Sequence, residues 1–342
     1  MDSSAQPIGR SYRHRFEGPF FRRLMLGGIR YIPPAVKRVI VPLWGSLFYS
    51  ILPSARAAAL HNLDCVLGPA PPWERHRRGL ELFQQYAQML TDSYALHQGL
   101  PLDFDVSSFG RHHLLDAVKK GQGAIAATGH LGMWQVGPFL AEWRGLPQFY
   151  LAMAAEPNPL VQQFEQRFRD RFRIIYTTES PFSILKLASV LREGAIVGMQ
   201  LDRHLGGQAL PMQFCGRPAW FPTGPATLAR ATGAPLVPSF FVIEPSAPGQ
   251  RRRRLSHYLD TAIVVPHTAD RQADIAQAMR QLVAAYEKMV QRFPTQWYQF
   301  FDFFAPPAAP SRPVGASAPE PPAEPPLVPS PSAVATVGKP PP

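Results

Sequence analysis

The residue best placed for chemistry is His130. It closes AIAATGH, an apolar run of the kind that forms a buried strand, and lies within ATGHLGMWQVG. Open α/β sheets present their sites at the carboxyl ends of strands, and an imidazole exchanges a proton near neutral pH. Gly129 and Gly132 leave the backbone room for a ligand to approach. The competing reading is a histidine that serves only the fold, and the neighbouring residues do not choose between the two. Cys65 and Cys215 are the only cysteines. Neither lies in a CxxC pair or beside ligand-spaced histidines, so no disulfide framework and no structural zinc site is expected, and a reducing compartment fits. No GxGxxG follows the first strand and no GxxxxGK[ST] occurs, which leaves nucleotide binding without support.

The elements that must position His130 follow from periodicity. HRRGLELFQQYAQMLTDSYALHQ (76–98) has helical spacing, and the helix-like HHLLDAVKKG leads into the AIAATGH strand. Trp134 to Trp143 reads as the next helix and FYLAMAA as a second strand. Leu160, Phe164, Phe168 and Phe172 repeat every four residues and predict one apolar helical face, before a short strand, RIIY. Ser180 and Pro181 read as the N-cap and first residue of a helix through FSILKLASVLREG. AIVGMQ then reads as a strand, TGPATLARATG as a helix and APLVPSFFVIE as a strand. In the final helix Ile275, Met279, Leu282, Tyr286, Met289 and Phe293 share one stripe, which a core face explains without a cofactor. Strands joined through helices by short loops predict an α/β sandwich around a largely parallel central sheet. No internal repeat is present.

Of the 342 residues 46% are hydrophobic and 17% charged, with 22 Phe and 6 Trp, enough to bury a substantial core. The net charge of +11 favours anionic partners, among them phospholipid headgroups, acidic carrier proteins and nucleic acid. The last is not expected: stacking aromatics are not interleaved with the basic run, and no helix-turn-helix or RNP signature occurs. The start, MDSSAQPIGRSYRHRFEG, has no apolar h-region, so no signal peptide is expected. VKRVIVPLWGSLFYSILP (36–53) is too short in its uninterrupted apolar part to span a bilayer. Arg30, Lys37 and Arg38 precede or open it, Arg56 follows, and Trp44 and Tyr49 lie inside. It reads as an amphipathic helix in a membrane interface or as a helix docked on the protein's own core. From Ala305 the chain holds 14 of its 39 prolines, and this tail predicts disorder with partly polyproline character. RRRR (251–254) reads as a solvated loop between two strands, or as a dock for an acidic carrier protein or anionic membrane.

GHLGMWQVG, LDRHLGG and MQFCGRPAWFPTGPATLARATGAPLVP resemble successive signatures of the lysophospholipid acyltransferase superfamily, closest to the bacterial lipid A biosynthesis lauroyl/myristoyl acyltransferases. SARAAALHNLDCVLG, GRHHLLDAVKKGQGAI and PTQWYQFFDFF extend the resemblance over roughly Ile29 to Phe304. It implies an acyltransferase fold with an N-terminal membrane-interface helix, in four parts: a basic segment (1–28), an amphipathic membrane-associating region (29–60), the acyltransferase domain (61–304) and the tail (305–342). It further implies transfer of a fatty acyl group from acyl carrier protein or coenzyme A to a hydroxyl or amine of a lipid-like acceptor. No cofactor and no metal is implied, and the expected location is the cytoplasmic face of the bacterial inner membrane, peripheral or shallowly inserted.

On this resemblance His130 matches the histidine of the HX4(D/E) motif, a general base for the acceptor's proton. The motif's acid falls on Gln135, which can orient the ring but offers no charge; Glu142 or Glu156 are the alternatives if folded nearby. Asp202 matches the family's acidic LD/AD-type segment and is expected to arrange the pocket or bind the acceptor, with a loop-capping aspartate as the structural alternative. Arg203 is expected as an anion contact and Arg217 as a holder of the carrier's phosphate. Thr223 and Gly224 open a helix whose free N–H groups can face phosphate or an oxyanion, unless Thr223 simply caps it. Trp134 and Trp220 are expected to line an acyl channel or to be core. Asn158 and Pro159 persist, but Ala154 stands where relatives often carry an arginine, which points to an acceptor other than lipid A. Gln135 and Ala154 also support a second reading, a catalytically degenerate subunit that binds acyl chains or carrier protein.

Overall fold

Helices and strands alternate along most of the chain, as the periodicity predicts. The computed structural model describes residues 26–140, 146–153, 172–177, 182–203, 208–245 and 252–306. They belong to one unit, Met1–Pro307, and the proline-rich tail, for which disorder is expected, lies outside the described residues from 307 on. After a helical stretch over 26–31 come α1 (Pro34–Ile51), α2 (Pro53–Leu67) and α3 (Pro72–His97). There follow β1 (Phe104–Phe109), α4 (Arg111–Lys119), β2 (Ala124–Thr128), the single turn α5 (Gly137–Leu140), β3 (Phe149–Met153) and β4 (Phe172–Tyr176). Next come α6 (Ser183–Arg192), β5 (Ile196–Gln200), β6 (Ala209–Phe214), β7 (Arg217–Pro222), α7 (Gly224–Thr232), β8 (Leu236–Ile243), β9 (Arg253–Leu259) and α8 (Arg271–Arg292).

Seven strands form one sheet in the order β1-β9-β8-β2-β5-β3-β4. Every neighbouring pair is parallel except β8–β9. The mostly parallel α/β architecture therefore holds. Strand β2 lies inside the sheet, and the two-residue side-chain period sends its residues to opposite faces. Ile125 and Ala127 join the core cluster that includes residues of α6, α7 and α8. Ala124 and Ala126 join the cluster that includes residues of α2, α3 and α4. With both faces covered, β2 is apolar from Ala124 to Ala127 rather than alternating.

Some expectations change. Phe172 opens β4 instead of ending a helical face, and 154–171 lie outside the described residues. The helix expected over Trp134–Trp143 starts later than expected, with a turn at 133–136 and α5 from Gly137, and 141–145 lie outside the described residues. Ser180 and Pro181 also fall outside them, and α6 begins at Ser183 after Phe182. The arginine run is no simple loop: Arg253 and Arg254 begin β9. Arg253 donates two hydrogen bonds to the buried Asp92 of α3, at 2.7 and 2.8 Å, and covers the Phe104 ring. Arg252 is exposed and pairs with Asp103 and Asp105. The run's charges are thus largely engaged within the chain. Strand β1 and the separate β6–β7 hairpin carry too little periodic signal to have been anticipated.

The two readings of segment 36–53 describe opposite faces of α1. One face packs on α3 so tightly that a Cβ on Gly45 would come 2.6 Å from the Cα of Gln84. The other carries Val36, Val39, Leu43, Trp44, Leu47 and Ile51, each 43–62% exposed. No helix among the described residues is long and apolar enough to cross a membrane alone; 35–51 and 53–67 form a pair bent by 98°.

Candidate active site

Strand register explains which residues meet. Parallel β2 and β5 pair Thr128 with Gln200, so the residues two beyond each, His130 and Asp202, leave the sheet side by side. Seventy-two residues separate them in sequence. The backbone N–H of His130 donates to Asp202 Oδ2 at 2.6 Å, and the ring Nδ1 meets Asp202 Oδ1 at 2.8 Å. A carboxylate only accepts, so Nδ1 carries the proton in the neutral ring and the lone pair lies on Nε2. Among the described residues nothing bonds to Nε2. The Trp134 ring packs beside the imidazole, centroids 5.0 Å apart.

Asp202 is 2% exposed and His130 5%. Two more donors converge on the carboxylate: Tyr286 Oη at 2.6 Å and Gln299 Nε2 at 2.7 Å, both to Oδ2. Trp297 Nε1 donates to Tyr286 Oη at 2.9 Å. Gly129 makes this assembly possible, since a Cβ there would fall 2.5 Å from the Tyr286 ring. Gly132, with φ +62°, lets the loop turn directly under Phe241, whose carbonyl accepts from the Met133 N–H at 2.7 Å.

Burial pushes the His130 imidazole below its ordinary 6.5, against the pull of the Asp202 carboxylate, and the Arg203 guanidinium adds to the lowering. Burial alone would raise Asp202; His130, Arg203 and the Tyr286 hydroxyl outweigh it and hold the carboxyl below its usual range. The pair is therefore a neutral imidazole beside an ionised carboxylate. Arg203, half-buried, donates weakly to the Tyr298 carbonyl at 3.5 Å, forms no ion pair among the described residues and keeps a buried, unbonded Nε. A guanidinium so placed can receive an anion.

Gln135 is not the ring's partner. Residues 133–136 form a tight turn, closed by hydrogen bonds from Val136 and Gly137 to the Met133 carbonyl, and leave Gln135 exposed. The position of the acid on Nδ1 is taken by Asp202. Glu142, Glu156, Ala154, Asn158 and Pro159 lie outside the described residues. Arg217 is exposed beside the tight Cys215–Gly216 turn of the β6–β7 hairpin, with its charge felt at Cys65 of α2. Trp220 is half-buried opposite Pro211 in that hairpin, and no described contact joins it or Arg217 to His130. Thr223 occupies the N-cap position of α7, but its hydroxyl donates to the Gln208 carbonyl at 3.2 Å and caps nothing. Gly224 begins the helix against Met199 of β5.

Tyr286, Trp297 and Gln299 escaped the sequence reading. Tyr286 does lie in the buried stripe of α8, yet a lone hydroxyl in an apolar stripe signals a waiting partner. No group of three or more His, Cys, Asp or Glu among the described residues could hold a metal ion.

The chain is similar to phosphatidylinositol mannoside acyltransferase of Mycobacterium tuberculosis (strain ATCC 25618 / H37Rv), 27% identical over 246 residues, or 69% of this chain and 73% of that protein. The phosphatidylinositol mannoside acyltransferase of Mycolicibacterium smegmatis (strain ATCC 700084 / mc(2)155) is also 27% identical over 246 residues, 69% of this chain and 75% of its own. The solved 1-acyl-sn-glycerophosphate acyltransferase PlsC of Thermotoga maritima aligns over 75% of this chain and 97% of its own, at 11% identity and a TM-score of 0.36, too loosely to bear on the site. Residues 11–304 match the family model of bacterial lipid A biosynthesis acyltransferases, and the chain belongs to that acyltransferase family.

Proposed function

We propose that this protein moves a fatty acyl group from the thioester of acyl carrier protein or coenzyme A to a hydroxyl or amine of a lipid-like acceptor held at a membrane surface. The observation that carries the reading is the His130–Asp202 pair with its unbonded Nε2. In this scheme Nε2 accepts the acceptor's proton as that oxygen or nitrogen attacks the thioester carbonyl carbon. The carbonyl π electrons move to oxygen, and Arg203, whose charge is felt at His130, is a cation available to the oxyanion. Collapse breaks the carbon–sulfur bond, and the imidazolium returns its proton to the departing thiolate. Asp202 stabilises the imidazolium and holds Nδ1–H in place. Trp134 forms an apolar wall beside the reacting nitrogen. No step calls for a cofactor or metal.

The degenerate-binder reading rested on Gln135 and Ala154, and the first argument weakens because a carboxylate reaches the ring although position 135 is glutamine. The exposed stripe of α1, with Lys37 and Arg38 in the same helix and Arg56 nearby, supports docking on an anionic membrane. This reading puts the protein on the cytoplasmic face of the inner membrane, where the carrier protein is accessible. The likeness to phosphatidylinositol mannoside acyltransferases supports a membrane glycolipid among the acceptors to try.

The test is thiol release from a medium-chain acyl carrier protein on anionic vesicles with hydroxyl and amine acceptors. The pure protein should turn over, and His130→Ala should be slower by about a thousandfold, within the range of general-base contributions. Equal inactivity of both would sink the reading. Leu43→Asp with Leu47→Asp should weaken co-sedimentation with anionic vesicles; unchanged sedimentation would remove α1 as the docking surface.

A further inference from the structure

Resting on the acyl-transfer reading above, we propose that Tyr286 and Gln299 are positioning residues that lock the Asp202 carboxylate and, through it, the base nitrogen of His130. Asp202 Oδ2 accepts three hydrogen bonds: the His130 backbone N–H, Tyr286 Oη and Gln299 Nε2. With Oδ2 saturated, the carboxylate cannot swing, and Oδ1 is left for the imidazole at 2.8 Å. The ring's proton is thereby fixed on Nδ1. The same donors spread the carboxylate's charge, so Asp202 does not take the proton that His130 must return to the leaving thiolate.

Each donor is itself held from outside the site. The Tyr286 oxygen accepts from the Trp297 indole N–H at 2.9 Å, which leaves its own hydrogen for Asp202. The segment carrying Gln299 pairs with the His130 loop: Gly132 N–H donates to the Gln296 carbonyl at 2.8 Å, and Tyr298 N–H to the His130 carbonyl at 3.0 Å. Asn62 of α2 grips the same segment, donating to the carbonyls of Gln299 at 3.0 Å and Phe301 at 2.7 Å. It also accepts from the Phe303 N–H at 3.1 Å. The main chain at Gln299 is thus secured without its side chain.

That arrangement makes the Gln299 amide informative. Its Nε2 must face the acceptor-only carboxylate, which leaves Oε1 buried with no partner among the described residues. A buried orphan acceptor is unfavourable, and an apolar side chain of similar volume would avoid it. The amide therefore makes sense as a donor to Asp202 rather than as a contribution to folding.

The experiment compares the full-length protein with Tyr286→Phe and Gln299→Met, which keep volume and remove one donor each. Histidine-ring 15N resonances are titrated, with His130 identified by its loss in His130→Ala. A carboxylate stripped of one donor binds the imidazolium more strongly, so the His130 midpoint should move upward in both variants. With medium-chain acyl carrier protein, kcat should fall by about tenfold to a hundredfold, the worth of one hydrogen bond to a charged group, while KM for the carrier protein stays within about twofold. The Tm of Gln299→Met should equal or exceed that of the parent. His130 midpoints superposing on the parent's in both variants would overturn the proposal, as would kcat losses that merely follow lost Tm. A parent no more active than His130→Ala defeats the acyl-transfer reading instead, and the titration still decides the positioning.

Discussion

Asp92 and Asp202 are both buried, at 4% and 2% exposure, and each is held by a basic side chain from a distant part of the chain. They end in opposite electrostatic states. Asp92 accepts two hydrogen bonds from Arg253 and one from Gln88 at 3.2 Å, yet burial wins and its carboxyl is raised. Asp202 has four donors and the Arg203 charge close by, and it is lowered despite equal burial. The partners differ as well. A guanidinium forked onto a carboxylate keeps its proton at any working pH and only ties α3 to β9. An imidazole bonded through one nitrogen leaves the other able to exchange a proton. Burial and pairing alone do not make a site. The number of donors and the titratability of the partner do.

The largest expected effect separates the two carboxylates by activity. Asp202→Asn should keep the fold and slow thioester turnover by about a hundredfold or more, since an amide cannot stabilise the imidazolium; the same acid-to-amide change in a serine protease triad costs about ten-thousand-fold. Turnover near the parent's would show the pair to be structural. Next, Arg253→Met strands Asp92 and should destabilise by about 2–3 kcal/mol in denaturant melts, below the usual cost of breaking a fully buried pair because the guanidinium is partly exposed. Its kcat per folded molecule should match the parent's, and a catalytic loss would blur the comparison.

The pH dependence should carry opposite signs. Asp202, lowered in the fold, contributes stability that is present above the ordinary 3.8 and lost as pH falls through its depressed value. Asp92, raised in the fold, contributes in the other direction: its contribution is full below 3.8 and declines as pH rises through the raised value. Acid melts of Asp202→Asn should therefore slope less than the parent's and those of Asp92→Asn more. Equal slopes would contradict the assignment. The smallest effect is kinetic: the acid limb of kcat/KM should lie below 6.5, because the buried His130 stays neutral to lower pH than a free imidazole. A limb above 6.5 would mean that the carboxylate outweighs burial.

Much of the scaffold was legible because period and length separate buried strands from amphipathic helices. AIAATGH, FYLAMAA, AIVGMQ and APLVPSFFVIE all contain strands of the sheet, and the stripe from Ile275 to Phe293 is buried. The hidden elements are those whose pattern is not local. Strand β9, expected only beyond the arginine run, starts inside it at Arg253, whose charge is met by Asp92 from α3. Gln135 looked like the ring's partner because the motif counts residues, whereas a turn at Met133 decides which way position 135 faces.

From its residues alone the chain settles the alternating α/β order and the place of His130 at a strand's end, since each follows from side-chain period and local backbone preference. Tertiary structure decides which carboxylate meets the imidazole and which donors hold it. That information resides in the β2–β5 register and in the return of the segment after α8, contacts between residues too far apart in sequence for any local pattern to record.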